Sequence, residues 1–151
     1  SGPTKPYATQ GTILGLELTS DRGQVFRATL EGLSFQLKEA ILALEEAFGY
    51  NPQRVRVVGG GSKNKLWNQI RADVLNLPVV TTSCQEATVL GASLFSQVGT
   101  GIVKNLEEAK SQIKMETTVW EPSPQKEIYE ELFSQYTKLP PLLAPFYRER
   151  S

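Results

Sequence analysis

The chain has 151 residues, enough for one domain with a core and too few for two ordinary ones. Lys plus Arg and Asp plus Glu both count 16, so no basic excess exists to condense on a nucleic-acid backbone or an anionic membrane surface. One cysteine and no histidine exclude internal disulfides, zinc sites built on Cys and His, and every Ser-His or Cys-His catalytic arrangement.

Ser1 to Gln10 holds two prolines and no apolar h-region, and reads as an irregular lead-in. No apolar run approaches the roughly 20 residues that span a bilayer, and the composition fits a cytoplasmic protein. Thr12 to Leu18 tolerates extended structure, as a strand or a tightly held loop, and Asp21-Arg22-Gly23 is a turn signal. Phe26, Leu30, Leu33, Leu37, Ile41, Leu44 and Phe48 then recur at spacings of three and four, which predicts a long helix with one apolar stripe. Gly49 is its expected C-cap, with Pro52 just beyond.

Val55 to Val58 is a β-branched run that reads as a buried strand. Ser62 is the expected cap of a second helix, through Leu66, Trp67, Ile70 and Val74 to Asn76. A short strand is predicted over Val79 to Thr82 and a third helix over Glu86 to Val98, with Gly91-Ala92-Ser93 as a small-residue face. Glu86 suits that helix's N-terminus. Leu106 to Ile113 reads as a short helix, Thr117 to Trp120 as extended, and Glu127 to Tyr136 as helix. Pro140, Pro141 and Pro145 argue against regular structure in the tail, residues 138–151, which the Phe133, Tyr136, Phe146 and Tyr147 group is expected to dock. Alternating helices and strands make this an α/β domain with helices flanking a small, at least partly parallel sheet. So thin a sheet suggests further strands upstream.

Gly59-Gly60-Gly61-Ser62-Lys63-Asn64 stands where a strand hands over to a helix. Glycine lets a ligand approach the backbone, and a helix start offers N–H groups and the positive end of a dipole to a phosphate. Asn64 carries a donor and an acceptor suited to a ribose hydroxyl or an adenine edge. Spacing alone leaves this reading level with a plain tight turn, because neither GxGxxG nor GxxxxGK[ST] is matched. Lys63 reads as a solvated lysine and Trp67 as a packing residue in preference to a stacking platform. Arg27 and Glu31 lie four apart and predict an ion pair. Cys84 reads as inert, and Asp21 and Asp73, the two aspartates, as structural or solvated.

The longer stretch Val57-Val58-Gly59-Gly60-Gly61-Ser62-Lys63-Asn64, continuing through Leu66-Trp67-Asn68-Gln69-Ile70-Arg71-Ala72-Asp73, resembles the adenosine motif of FGGY carbohydrate kinases. Gly11-Thr12-Ile13-Leu14-Gly15-Leu16, with Gln24-Val25 and Arg27-Ala28-Thr29-Leu30-Glu31-Gly32, is similar to that family's second signature. Glu86-Ala87-Thr88-Val89-Leu90-Gly91-Ala92 resembles the helix closing its carboxy-terminal domain. The wording around the triplet is most similar to the family's L-fuculokinase branch, ahead of the xylulokinase and rhamnulokinase branches.

The resemblance implies an actin-like, ribonuclease H-like α/β fold, with residues 11–137 forming an incomplete carboxy-terminal domain. It implies ATP and Mg²⁺ in the intact enzyme, and nucleotide contacts at Gly59, Gly60, Gly61, Ser62 and Asn64. The family's DxGT-like phosphate loop, catalytic aspartate and second phosphate loop have no counterpart here. The chain is therefore expected to carry no catalytic residue, to be inactive alone, and to work with a missing amino-terminal domain that supplies most sugar contacts. A non-catalytic actin-like module binding nucleotide or a protein partner is the rival reading, and a homodimer is among the assemblies left open.

Overall fold

The computed structural model describes residues 11–84 and 86–148, so the lead-in assigned to Ser1–Gln10 and the last three residues of the tail lie outside them. Residues 11–17 form no strand; they are an exposed segment without regular structure, linked to the chain's end by a hydrogen bond between the Thr12 and Tyr147 hydroxyls.

Helix α1 runs Arg22–Phe48. The turn signal at Asp21 is the helix start itself: Asp21 Oδ1 accepts from Gln24 N at 2.8 Å, while Gln24 Oε1 accepts from Asp21 N at 2.9 Å, a reciprocal capping box. Gly49 closes the helix in the left-handed region at φ 64°. The predicted stripe splits. Leu30 is buried and Leu37 and Ile41 pack inward, but Phe26, Leu33, Leu44 and Phe48 are 44–78% exposed. Periodicity placed them on one side of the helix, yet the elements packing on α1 meet an offset face that includes Ser34, Phe35 and Lys38.

Strands β1 (Val55–Val57), β2 (Val79–Thr82) and β3 (Thr117–Trp120) form a sheet in the order β1-β2-β3. β1 and β2 are parallel, pairing Val55 with Val79 and Val57 with Thr81. Parallel neighbours need a crossover, and helix α2 (Lys65–Leu75) supplies it. β3 joins antiparallel, pairing Trp120 with Val79 and Thr117 with Thr82. The sheet is mixed and small, with helices packed against it.

α2 is the hub of the core. Its Ile70 and Val74 meet Leu30 and Phe35 of α1 and Tyr129 of α5 (Lys126–Tyr136), while Ala72 and Leu75 face Val79 and the sheet. Such contacts stabilise by about 25 cal/mol per Å² of apolar surface removed from water. Asn76, at φ 51°, ends α2. The Arg27–Glu31 pair forms at 2.8 Å and is joined by the buried Tyr129, whose hydroxyl donates to Glu31 at 2.8 Å and accepts from Arg27 at 3.1 Å. The triad ties α1 to α5.

Helix α3 (Ala87–Gly99) has no buried residue, and a Cβ on Gly91 would meet nothing within 4 Å, so its small face packs on no described element. Glu86 takes the N-cap position, but its side chain makes no capping hydrogen bond. Helix α4 (Leu106–Ser111) is capped by Asn105 and stops short of Ile113. The tail is helical after all, as α6 (Leu139–Arg148). Pro140 and Pro141 fall in its first turn, where the N–H they lack would have no intrahelical acceptor; only Pro145 is interior. Of the tail-docking aromatics, Phe133 and Tyr136 instead lie on α5 and pack against Phe35, their ring centroids 5.7 and 5.1 Å away.

Candidate functional site

The glycine turn begins as β1 ends. Gly59 has φ 82° and ψ −173°, a region that side chains other than hydrogen enter only under strain, and it reverses the chain out of the strand. Gly60–Lys63 then make one turn of 3-10 helix. The predicted cap is displaced: Asn64, and not Ser62, caps α2, its Oδ1 accepting from Trp67 N at 3.1 Å. Ser62 has no role at the α2 terminus because the extra turn intervenes; its hydroxyl donates to the Gly59 carbonyl at 2.7 Å and closes the turn.

Gly59, Gly60, Gly61, Ser62 and Asn64 are therefore contiguous in space as well as in sequence, on the turn joining β1 to α2. The three glycines differ in what the chain demands of them. Gly59 is required by its backbone angle. Gly61 is closely packed: a Cβ there would lie 3.1 Å from Trp67 Cζ3 and 3.3 Å from Arg71 Nη2, so that pair would have to give by a few tenths of an ångström. Gly60 has no positive φ, and a Cβ there would meet nothing within 4 Å. Nothing inside the described chain requires a glycine at position 60, which presents bare backbone to the outside.

Asn64 is half-buried with its oxygen committed to the cap, which leaves the amide NH₂ without a hydrogen-bond acceptor among the described residues. That group is the donor available for a ligand. Lys63 is exposed, as a solvated lysine would be. Trp67 does not offer a free ring face for stacking a base: its Nε1 donates to Ser34 at 3.1 Å, and the Arg71 guanidinium lies 3.6 Å from its ring centroid.

Two side chains not singled out in the sequence support the turn from behind. Asn68 is 1% exposed and its Nδ2 donates to the Ser62 carbonyl at 2.7 Å. Arg71, 7% exposed, donates to Asn68 Oδ1 at 3.0 Å and reaches the Gly61 carbonyl at 3.4 Å. Burial pulls the Arg71 guanidinium below its ordinary value, and no carboxylate pairs with it among the described residues. Their places at four and seven residues beyond Asn64 put all three on one helical face, a signal present in the sequence.

Asp73 is buried on α2 but turned away from this turn, accepting from Ser123 N at 2.6 Å and Gln69 Nε2 at 3.0 Å; its role is structural. Cys84 is a free, half-buried thiol. Among the described residues no group of three or more His, Cys, Asp and Glu side chains is arranged to hold a metal ion, and no helix is long and apolar enough to cross a membrane. An open depression of about 480 Å³ lies apart, lined by residues that include Leu16, Val25, Phe26 and Thr29, and shares no residue with the glycine turn.

The family model of the carboxy-terminal domain of the FGGY family of carbohydrate kinases matches residues 2–100. The L-fuculokinase of Escherichia coli is 40% identical over 118 residues, covering 78% of this chain and 25% of that protein. A crystal structure of xylulose kinase from Rhodospirillum rubrum superposes with a TM-score of 0.78 at 28% identity, over 95% of this chain and 29% of that one. A crystal structure of Plasmodium falciparum glycerol kinase with ADP gives 0.70 at 28% identity, over 85% of this chain and 26% of that one. The chain spans about a quarter of the length of the curated relatives it matches.

Proposed function

Because this chain belongs to the FGGY family of carbohydrate kinases, as a carboxy-terminal domain of that family, we propose that it forms the nucleotide-holding side of an ATP-dependent sugar kinase. The whole protein transfers the ATP γ-phosphate to a hydroxyl of a ketose, and L-fuculose is the acceptor favoured by the 40% identity to an L-fuculokinase. The single observation that carries the nucleotide reading is Gly60, which stands on the turn between β1 and α2 and whose missing side chain serves no contact among the described residues, leaving backbone open to a ligand.

ATP fits the residues present. Gly59, Gly60, Gly61 and Ser62 offer a close backbone surface, and Asn64 an amide donor for the ribose or base. When bound, ATP supplies the phosphoryl group; these residues hold its adenosine end so that the rest is oriented. Among the described residues no group of three or more His, Cys, Asp and Glu side chains is arranged to hold a metal ion, and Mg²⁺ would be held chiefly by the ATP phosphates. The catalytic base and most sugar contacts would come from an amino-terminal domain of the same polypeptide, and the chain alone would not turn over. A cytoplasmic location belongs to the same proposal.

The test is ADP release by the full-length protein with L-fuculose, D-xylulose, L-rhamnulose, D-ribulose and glycerol. Turnover with L-fuculose far above the others is the expected result. Preference for another acceptor would replace the sugar and keep the kinase. A folded protein that binds ATP and phosphorylates none of them would refute the kinase reading in favour of a non-catalytic actin-like module.

A further inference from the structure

Three consecutive glycines make a turn that would be expensive to order around a ligand, since glycine loses more conformational freedom than any other residue. In this chain the turn is held from its inner side by two side chains of α2. Asn68 Nδ2 fixes the Ser62 carbonyl at 2.7 Å. Arg71 fixes Asn68 at 3.0 Å and approaches the Gly61 carbonyl at 3.4 Å, with its guanidinium 3.6 Å above Trp67. Burying an amide and a guanidinium without a carboxylate is costly unless their hydrogen bonds serve an arrangement that cannot form otherwise. All three hydrogen bonds lead, directly or through one partner, to the carbonyls of the glycine turn.

We infer that Asn68 and Arg71 are positioning residues of the nucleotide site, forming one brace that sets the shape of the Gly59–Ser62 turn without touching the nucleotide. Removing the brace frees the turn, so the ordering cost moves into the binding step and affinity falls. Because Arg71 bonds Asn68 as well as the Gly61 carbonyl, and Asn68 in turn holds the Ser62 carbonyl, their effects are not additive. The inference rests on the nucleotide reading above and deepens it.

The experiment measures the ADP dissociation constant, the KM values for ATP and sugar, kcat and the melting temperature of the full-length protein. Asn68→Asp keeps size and the Arg71 partner but replaces the donor facing the Ser62 carbonyl with an acceptor. Arg71→Met keeps an unbranched apolar stem against Trp67 and removes the fork, and it decides the matter if Asn68→Asp does not fold. Each variant is expected to weaken ADP binding about tenfold, the scale of one hydrogen-bonded anchor. The KM for ATP rises in parallel, with kcat and the sugar KM little changed. The double variant loses little more than the worse single one, far from the product of the two losses.

Tyr129→Phe, which removes a hydroxyl bonded to Arg27 and Glu31 and to no residue of the glycine turn, serves as the destabilised control and should keep its ADP affinity. The brace is overturned if folded Asn68→Asp and Arg71→Met bind ADP as the parent does, if their losses multiply, or if Tyr129→Phe loses as much. Gly60→Val separates the two levels. If it leaves ADP binding intact, the glycine turn is not the site and the underlying reading fails with the brace. If it abolishes binding while the brace variants do not, the brace alone fails.

Discussion

Substituting alanine in turn at Gly59, Gly60 and Gly61 separates structural from ligand-imposed glycines. At Gly59 the backbone has φ 82° and ψ −173°, a region nearly confined to glycine, and a side chain there costs about 1–3 kcal/mol. At Gly61 the new methyl would stand 3.1 Å from Trp67 and 3.3 Å from Arg71, so the stacked pair must yield by a few tenths of an ångström. Such overpacking costs about 1–3 kcal/mol. At Gly60 the φ is not positive and the methyl meets nothing, so alanine is neutral or stabilises by about 0.4–1 kcal/mol through the unfolded chain. With roughly 2–4 °C per kcal/mol for a chain of this size, Gly59→Ala should lower the melting temperature by about 2–12 °C. Gly60→Ala should hold or raise it slightly. Thermal unfolding of this chain reads the stability order, and ADP titration of the full-length protein reads the site. The variant that folds best, Gly60→Ala, is expected to bind nucleotide poorly. A Gly60→Ala protein as destabilised as Gly59→Ala, or one that binds ADP like the parent, would refute the reasoning.

Three further outcomes follow from the same geometry. Asn64→Ala should both destabilise, by about 0.5–2 kcal/mol for a lost N-cap, and weaken nucleotide binding, whereas Asn64→Ser keeps a capping oxygen and should lose affinity with a nearly unchanged melting temperature. Asp73→Ala leaves the Ser123 N–H without its acceptor and should cost about 1–3 kcal/mol in urea unfolding, while Asp73→Asn, which keeps one acceptor oxygen, should cost less; equal losses would show that charge matters more than the hydrogen bond. Tyr129 has its hydroxyl held above the ordinary tyrosine range, first by burial and then by its hydrogen bond to Glu31, with Arg27 opposing. Its folded value exceeds the unfolded one of about 10, so the stabilisation is complete below pH 10 and is lost as pH rises through the folded value. Unfolding free energy from Tyr129→Phe should therefore fall less steeply above pH 10 than that of the parent.

Much of the fold was legible because single residues dictate it. Gly49 ends α1 in the left-handed conformation that glycine adopts without strain, and Val55–Val57 and Val79–Thr82 are adjacent parallel strands with a helix between them, although Val55–Val57 is only partly buried and Val58 is exposed where a buried strand was expected. The split of the α1 stripe was not legible. Spacing tells which residues share a face, not which neighbours reach it, and Ser34 and Lys38 are buried because Trp67 and Glu130 offer them partners from other elements. The α6 helix was missed because three prolines were weighed alike, although a proline in a first turn removes no hydrogen bond that the helix would make. At the site, the residues of the turn were readable and the order of its caps was not. Ser62 and Asn64 are both good caps, and the single turn of 3-10 helix that hands the role to Asn64 leaves no mark in composition.

α2 explains why the turn and the core belong to one problem. Along its buried length apolar side chains alternate with polar ones, and each polar group reaches a segment outside the helix. Asn68 and Arg71 bind the carbonyls of the glycine turn, while Gln69 and Asp73 hold the Glu121 carbonyl and the Ser123 N–H that lead into α5. Ile70 and Val74, between them, anchor the helix to α1 and α5. A hydrophobic helix would fill this space and be satisfied in several small displacements. Hydrogen bonds tolerate less, because a donor moved by an ångström leaves a buried group unpaired. The polar residues therefore select one seat for α2 among the many its apolar face allows, and that seat fixes where Gly60 presents its backbone.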